Sequence, residues 1–209
     1  MERHENIFKH YVWQIIRFLP LLNILYFTRG TQNPVTLKFL FWQKIIGFNR
    51  GAYWPIHFSS VVNNWRNVYA GIDVCPGYSP GCYIQAIGKV FIGDYTQIAP
   101  NVGIISANHE LNDNRKHVVK DVVIGKYCWL GMNSIVLPGT ELGDFTVVAA
   151  GAVVTKSFPS GYCVLGGNPA RVIKELNKEE CVSYKNKYEY LGYIKASKFP
   201  QFRKKHLSV

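Results

Sequence analysis

His109 and His117 fall within ISANHELNDNRKH, residues 105–117, a polar stretch that also holds Glu110, Asn112 and Asp113. Imidazole titrates near neutral pH, with an unperturbed pKa of about 6.5. Such a stretch can therefore supply a proton acceptor or a metal ligand, unless it is simply disordered. It is too polar to continue the pattern on either side of it. What the two histidines can do depends on the elements that hold them.

Those elements repeat in sixes. Ile124, Leu130, Val136, Leu142, Val148 and Val154 keep phase without a slip. The fifth place of each hexad is small or β-branched in Cys128, Ser134, Thr140, Thr146 and Ala152, and becomes Phe158 where the pattern ends. Upstream, Ile92, Ile98 and Ile104 hold the same period, with Thr96 and Val102 in the fifth places. Ile72, Tyr78 and Ile84 hold it further up, before QAIGKVF adds two residues. A helix repeats at 3.6 residues and a strand at 2, so a strict six fits neither. It predicts a parallel β-helix in which each hexad forms a short strand and a turn. The aliphatic residue points inward, small residues let the corners close, and Gly, Asn or Asp accommodate the tight turns. Residues 105–121 then form a loop inserted between Ile104 and Ile124, leaving the wall at one corner.

The 209 residues suit one domain with small appendages. Three parts follow: an apolar, aromatic extension over 1–66, the coil stack over 67–158, and a basic C-terminal segment over 159–209 that ends in a helix. Open coil ends expose apolar surface and unpaired backbone, so both flanks are expected to act as caps. The apolar run over residues 11–27 is broken by Arg17, Pro20 and Asn23, which argues against a membrane span and a signal peptide. Helices packed on the rest of the protein are the first reading there, and peripheral membrane contact the second. Five scattered cysteines without a CxxC pair read as reduced thiols of a cytoplasmic protein, not as disulfides or a zinc site. The net charge of +11 invites a polyanion, and much of the excess lies beyond Arg171. No nucleic-acid signature accompanies it, so no nucleic-acid partner is expected. A solvated tail, a phosphorylated ligand and a membrane surface remain.

The hexads, together with IGKYCWLGMNSIVLPGTELGDFTVVAAGAVVTKSFP and the closing GGNPARVI, resemble the hexapeptide-repeat acyltransferases. Within that superfamily, SPGCYIQAIGKVFIGDYTQIAPNVGIISANHELND is most similar to O-acetyltransferases of surface-polysaccharide biosynthesis. The resemblance implies a left-handed parallel β-helix assembled as a homotrimer, with acetyl-CoA as donor and a carbohydrate as acceptor. It implies no metal. By the same resemblance His109 is the general base that takes the proton from an acceptor hydroxyl, and the Gly131–Met132 turn offers a backbone N–H to the developing oxyanion. Trp129 lines the pantetheine groove, and Ala149 and Ala150 stand where the cofactor passes close to backbone. Thr155, Lys156 and Arg171 contact the phosphates of CoA. His117 is read as solvent-facing or loop-stabilising. Tyr83 and Gln85 are weaker candidates for the acceptor side, and Asn112 and Asp113 for orienting His109 or binding acceptor hydroxyls. Three other readings stand beside this one. Transfer to serine or to the nitrogen of an amino sugar would use the same donor site. A zinc site on His57, His109 and His117, as in a γ-carbonic anhydrase, lacks the expected spacing. A non-enzymatic trimeric scaffold would leave the His109 loop unexplained.

Overall fold

The computed structural model describes residues 11–19 and 22–209 of the chain. Residues 1–10 of the N-terminal extension, with Pro20 and Leu21, lie outside the described residues.

Each hexad contributes one short strand, and successive hexads go to successive walls of a triangular prism. Wall one is a parallel sheet of Val61–Val62, Tyr83–Ile84, Gly103–Ile104, Ile135–Val136 and Val153–Val154. Wall two pairs Val68–Ala70, Val90–Ile92, Val122–Ile124 and Glu141–Leu142, also in parallel. Wall three stacks Gln97–Ile98, Trp129–Leu130, Thr146–Val148 and Cys163–Gly166, and Arg171–Glu175 closes it antiparallel. Parallel pairing thus runs from Val61 to Gly166, on both sides of the 67–158 segment.

The register shows why the period is six. Ile124 faces Leu142, Leu130 faces Val148 and Val136 faces Val154, so three hexads make one turn of the stack. Leu130, Val136, Val148 and Val154 are fully buried, and Ile124 and Leu142 nearly so. One turn earlier the partners are Ile104 and Val136, a spacing that contains the inserted stretch. Ile84 faces Ile104, a turn lengthened by the two residues seen in QAIGKVF. The insertions lengthen the path between walls without shifting Ile84, Ile104 or Ile124 off its column. Upstream the count slips: the fully buried Ala70, not Ile72, faces Ile92, and Ile72 and Tyr78 lie half-buried outside the strands.

Fifth-position residues close the corners by hydrogen bonding as well as by size. Thr96 Oγ1 donates to the Gly125 carbonyl at 2.7 Å and accepts from the Cys128 amide at 3.1 Å. Thr146 Oγ1 and Cys128 Sγ both donate to the Gly143 carbonyl. On the outside of this corner the turns open with the anticipated Gly93, Gly125 and Gly143, where a Cβ would meet neighbouring backbone, but the left-handed position is aromatic. Tyr95, Tyr127, Phe145 and Tyr162 adopt φ of 61°, 54°, 55° and 49°. That left-handed backbone disfavours residues with a Cβ. Here it is offset by stacking, because consecutive rings lie 5.3, 4.9 and 5.2 Å apart with interplanar angles of 26° or less.

Both flanks fold onto the stack. Residues 11–18 are helical, Asn23–Thr28 form an α-helix, and Leu37–Leu40 run into a π-helix over Phe41–Ile46. Trp54 and Ile56 join the core, and Trp54 Nε1 donates to the Pro76 carbonyl at 2.8 Å. Gln43 is fully buried and ties this cap together: Nε2 donates to the Trp54 carbonyl, and Oε1 accepts from the Ile56 amide and the Tyr193 hydroxyl. The C-terminal helix Phe199–His206 packs Phe199 against the Tyr53 ring. The buried Asp73 carboxylate clasps both flanks, accepting from the Gln32 and Asn33 amides and from Asn186 Nδ2.

Candidate active site

The polar stretch is an ordered antiparallel hairpin that leaves the stack at the corner between walls one and two. Its arms are Ala107–His109 and His117–Val119, with His109 opposite His117. Gln85 fixes its point of departure: Oε1 accepts from the Ser106 amide at 3.1 Å and the Ala107 amide at 2.8 Å. At the far end the Asp113 carboxylate accepts from Arg115 Nε at 2.8 Å, and the Lys116 ammonium lies 3.6 Å away. The Arg115 guanidinium holds the Asp113 carboxyl below its usual value.

Within this frame His109 is held by one bond, from Nδ1 to the Asn114 carbonyl at 2.5 Å. A carbonyl can only accept, so Nδ1 is the donor, and the tautomer this bond selects has its lone pair on Nε2. The His117 ring rests against it with centroids 4.5 Å apart. His109 lines an open cavity of 520 Å³ with Asn108, Glu110, Asn112, Lys120 and Pro138. Asn108 and Lys120 carried no signal of period or motif. The carbonyl of Asn114 is a backbone group whose role no residue type announces.

The other candidate residues fall into separate groups. Asn112 shares the cavity with His109, whereas the Asp113 carboxylate is engaged within the hairpin tip. Gln85 supports the hairpin base, and the Tyr83 hydroxyl, on the outer face of wall one, accepts from Asn63 Nδ2 at 3.0 Å. Thr155 and Lys156 are exposed at the corner that carries the hairpin, two turns further along the stack. At ~4.8 Å per turn that places them about 10 Å along the axis from the hairpin's turn. Lys156 Nζ lies over the Phe158 ring.

Trp129 is different. It sits on the outer face of wall three, about half exposed, beside Val147 and Gln97. In a triangular section wall three is opposite the corner that bears His109, so one chain does not bring the two together. Gly131, Met132, Ala149 and Ala150 lie at the corner between walls three and one, and Arg171 begins the outermost strand of wall three opposite Gly166. The Gly131 amide already donates to the Val148 carbonyl at 2.8 Å. A Cβ at Gly131 would sit 2.6 Å from that same oxygen, so close coil packing accounts for this glycine. The surface around Trp129 and Met132 is open, apolar and flanked by small Ala149 and Ala150, with the Arg171 cation at its end. That combination suits a long thiol arm with a phosphate terminus. Among the described residues no group of three His, Cys, Asp or Glu is placed to hold a metal.

A parallel three-walled coil of hexads with a histidine hairpin at one corner defines a class, and comparison with known proteins gives the same one. The family model "Bacterial transferase hexapeptide (six repeats)" matches residues 121–156. The chain is 33% identical over 150 residues to galactoside O-acetyltransferase of Escherichia coli K12, covering 69% of this chain and 70% of that protein. The chain belongs to the hexapeptide-repeat acyltransferases, and its fold is their left-handed parallel β-helix. It is also similar to the putative lipopolysaccharide biosynthesis O-acetyl transferase WbbJ of the same organism, at 39% identity over 110 residues. That match covers 46% of this chain and 56% of WbbJ. Among solved structures, a galactoside acetyltransferase in complex with coenzyme A superposes with a TM-score of 0.51 at 29% identity, covering 63% of this chain and 70% of that one.

Proposed function

We propose that this acyltransferase moves an acetyl group from acetyl-CoA to a hydroxyl of a surface polysaccharide or its sugar precursor, with His109 as general base. The observation that carries the reading is the bond from His109 Nδ1 to the Asn114 carbonyl, which leaves Nε2 as a fixed proton acceptor beside an open cavity. The likeness to a galactoside O-acetyltransferase supports a sugar hydroxyl as acceptor, and the likeness to WbbJ supports a surface polysaccharide.

When bound, acetyl-CoA supplies an acetyl group activated as a thioester. His109 Nε2 takes the proton of the acceptor hydroxyl as its oxygen attacks the acetyl carbon, and returns that proton to the departing sulfur. Asn112 and Lys120 line the same cavity and position the acceptor. With the Gly131 amide committed to the coil, the Met132 amide is the candidate donor in that turn for the negative charge developing on the carbonyl oxygen. The Trp129 surface receives the thiol arm, and Lys156 and Arg171 meet the phosphates.

Because wall three faces away from the His109 corner, a site holding both His109 and Trp129 takes them from two copies. This supports a homotrimer with a site at each contact between neighbours. Five free thiols support a cytoplasmic enzyme. Free-thiol release from acetyl-CoA, measured across mono- and oligosaccharides and with serine, tests the reading. Turnover on sugars that disappears in His109→Ala is expected. Turnover on serine alone, or full activity in that variant, overturns it.

A further inference from the structure

Between Glu5 and Asp73 the chain has no acidic residue, yet Arg17, Arg29, Lys38, Lys44, Arg50 and Arg66 all fall there. Every Asp and Glu of the described residues lies at Asp73 or beyond, in the stack and the C-terminal segment. The N-terminal part of the cap is therefore cationic by composition.

The same segment turns apolar side chains to water. The continuous helical piece Leu37–Ile46 anchors its inner side through Gln43 and through Phe39, whose ring packs on Tyr78. Its outer side carries Leu37, Phe41 and Ile45, which are 64%, 45% and 71% exposed. Ile46, Phe48 and Phe58 are exposed as well, and the Trp42 ring, against the rings of Phe41, Phe48 and Phe58, joins the aromatic part of this surface. A continuous patch of large apolar side chains facing water marks a binding surface. Lys38 and Arg50 are exposed beside it. Lys44 is not available, because its ammonium donates inward to the carbonyls of Arg50 and Ala52.

We propose that this face docks the protein peripherally on an anionic lipid surface. Leu37, Phe41 and Ile45 enter the headgroup boundary, and Lys38 and Arg50 meet the lipid phosphates. Charge decides between this occupant and a second copy of the chain. Two such faces meeting directly would set Lys38 and Arg50 against their own copies, whereas anionic headgroups neutralise both cations. The inference concerns the cap end alone and does not rest on the acetyl-transfer reading.

The test is co-sedimentation of the full chain with phosphatidylcholine vesicles, with and without about 30% phosphatidylglycerol, alongside sedimentation velocity without lipid. Binding at least ~10-fold tighter to the anionic vesicles, weakened by high salt, is expected. The variant Leu37→Ser/Phe41→Ser/Ile45→Ser should lose vesicle binding and keep its oligomeric state. Lys38→Glu/Arg50→Glu, on exposed side chains, should lose the preference for anionic lipid. Equal binding to both vesicle types, no binding to either, or a changed oligomeric state in the triple variant would overturn the proposal. The last result would assign the patch to contact between copies.

Discussion

In the column Ile84–Ile104–Val136–Val154 four side chains do the same work, each filling one turn of one wall. In the hairpin over 107–119 no two residues are equivalent. His109 is held by a single carbonyl, Asp113 by cations two and three positions on, and Ser106 and Ala107 by the amide oxygen of Gln85. The column is fixed by apolar volume, which neighbours share. The hairpin is fixed by individual polar atoms, which nothing replaces. The stack should therefore respond to substitution through stability, and the hairpin through chemistry.

The largest effect that sharpens this contrast is on activity. His109→Ala should lower acetyl transfer by ~10²–10⁴-fold while leaving the melting temperature unchanged. If His109 and Trp129 serve one site from two copies, mixing unfolded and reassembled His109→Ala and Trp129→Ala chains should restore about a quarter of wild-type turnover by random assembly. No restoration would place both residues in one chain's site or in none. Next comes a purely structural loss. Leu130→Ala removes a fully buried column residue and should destabilise the fold by ~2–5 kcal/mol in chemical denaturation, with activity per folded molecule retained. A fall in specific activity at low temperature would break the contrast, because it would show that a buried column residue does more than fill volume.

A smaller effect comes from the buried corner thiols. Burial pushes the Cys128 thiol up to about 12. A thiol whose folded value lies above its unfolded value favours the folded state at low pH, and that contribution is lost as pH rises from about 9 toward 12. Alkaline unfolding in that window, delayed in Cys128→Ser, is expected. At pH 8 Cys181, the one cysteine that is not buried, should react with a thiol reagent ahead of the other four. The smallest effect is expected from Asp113→Ala. It frees Arg115 and Lys116 at an exposed tip, so global stability should hold while hydrogen exchange of the hairpin amides speeds up. Unchanged exchange would show that the Gln85 and Asn114 contacts alone keep the hairpin in place.

Much of the stack was legible because its determinant is local and repeated. A six-residue period carries the wall, the inward face and the corner in one count, and even the two extra residues of QAIGKVF reappear as a longer turn between Ile84 and Ile104. The aromatic corner was not legible. A tyrosine is a poor residue for positive φ when judged alone, and Tyr95, Tyr127 and Phe145 become favourable there only because each ring has a neighbour one turn away. The site was legible in part. His109 stands out as a titratable side chain where the period lapses, but Gln85 reads as a loop or acceptor residue until its amide is seen to receive the hairpin.

By itself, then, the sequence determined the period, the inward residues from Ile84 onward, the point where the chain leaves the wall and the histidine placed there, since each follows from residue type and spacing along the chain. Only the tertiary structure decided which nitrogen of His109 holds the proton, because that depends on a backbone carbonyl five residues away brought round by the hairpin turn. It also decided that Trp129 faces away from His109. Which wall a residue joins follows from how many turns and insertions precede it, and wall three becomes the far side of the His109 corner only when the three walls close on one another.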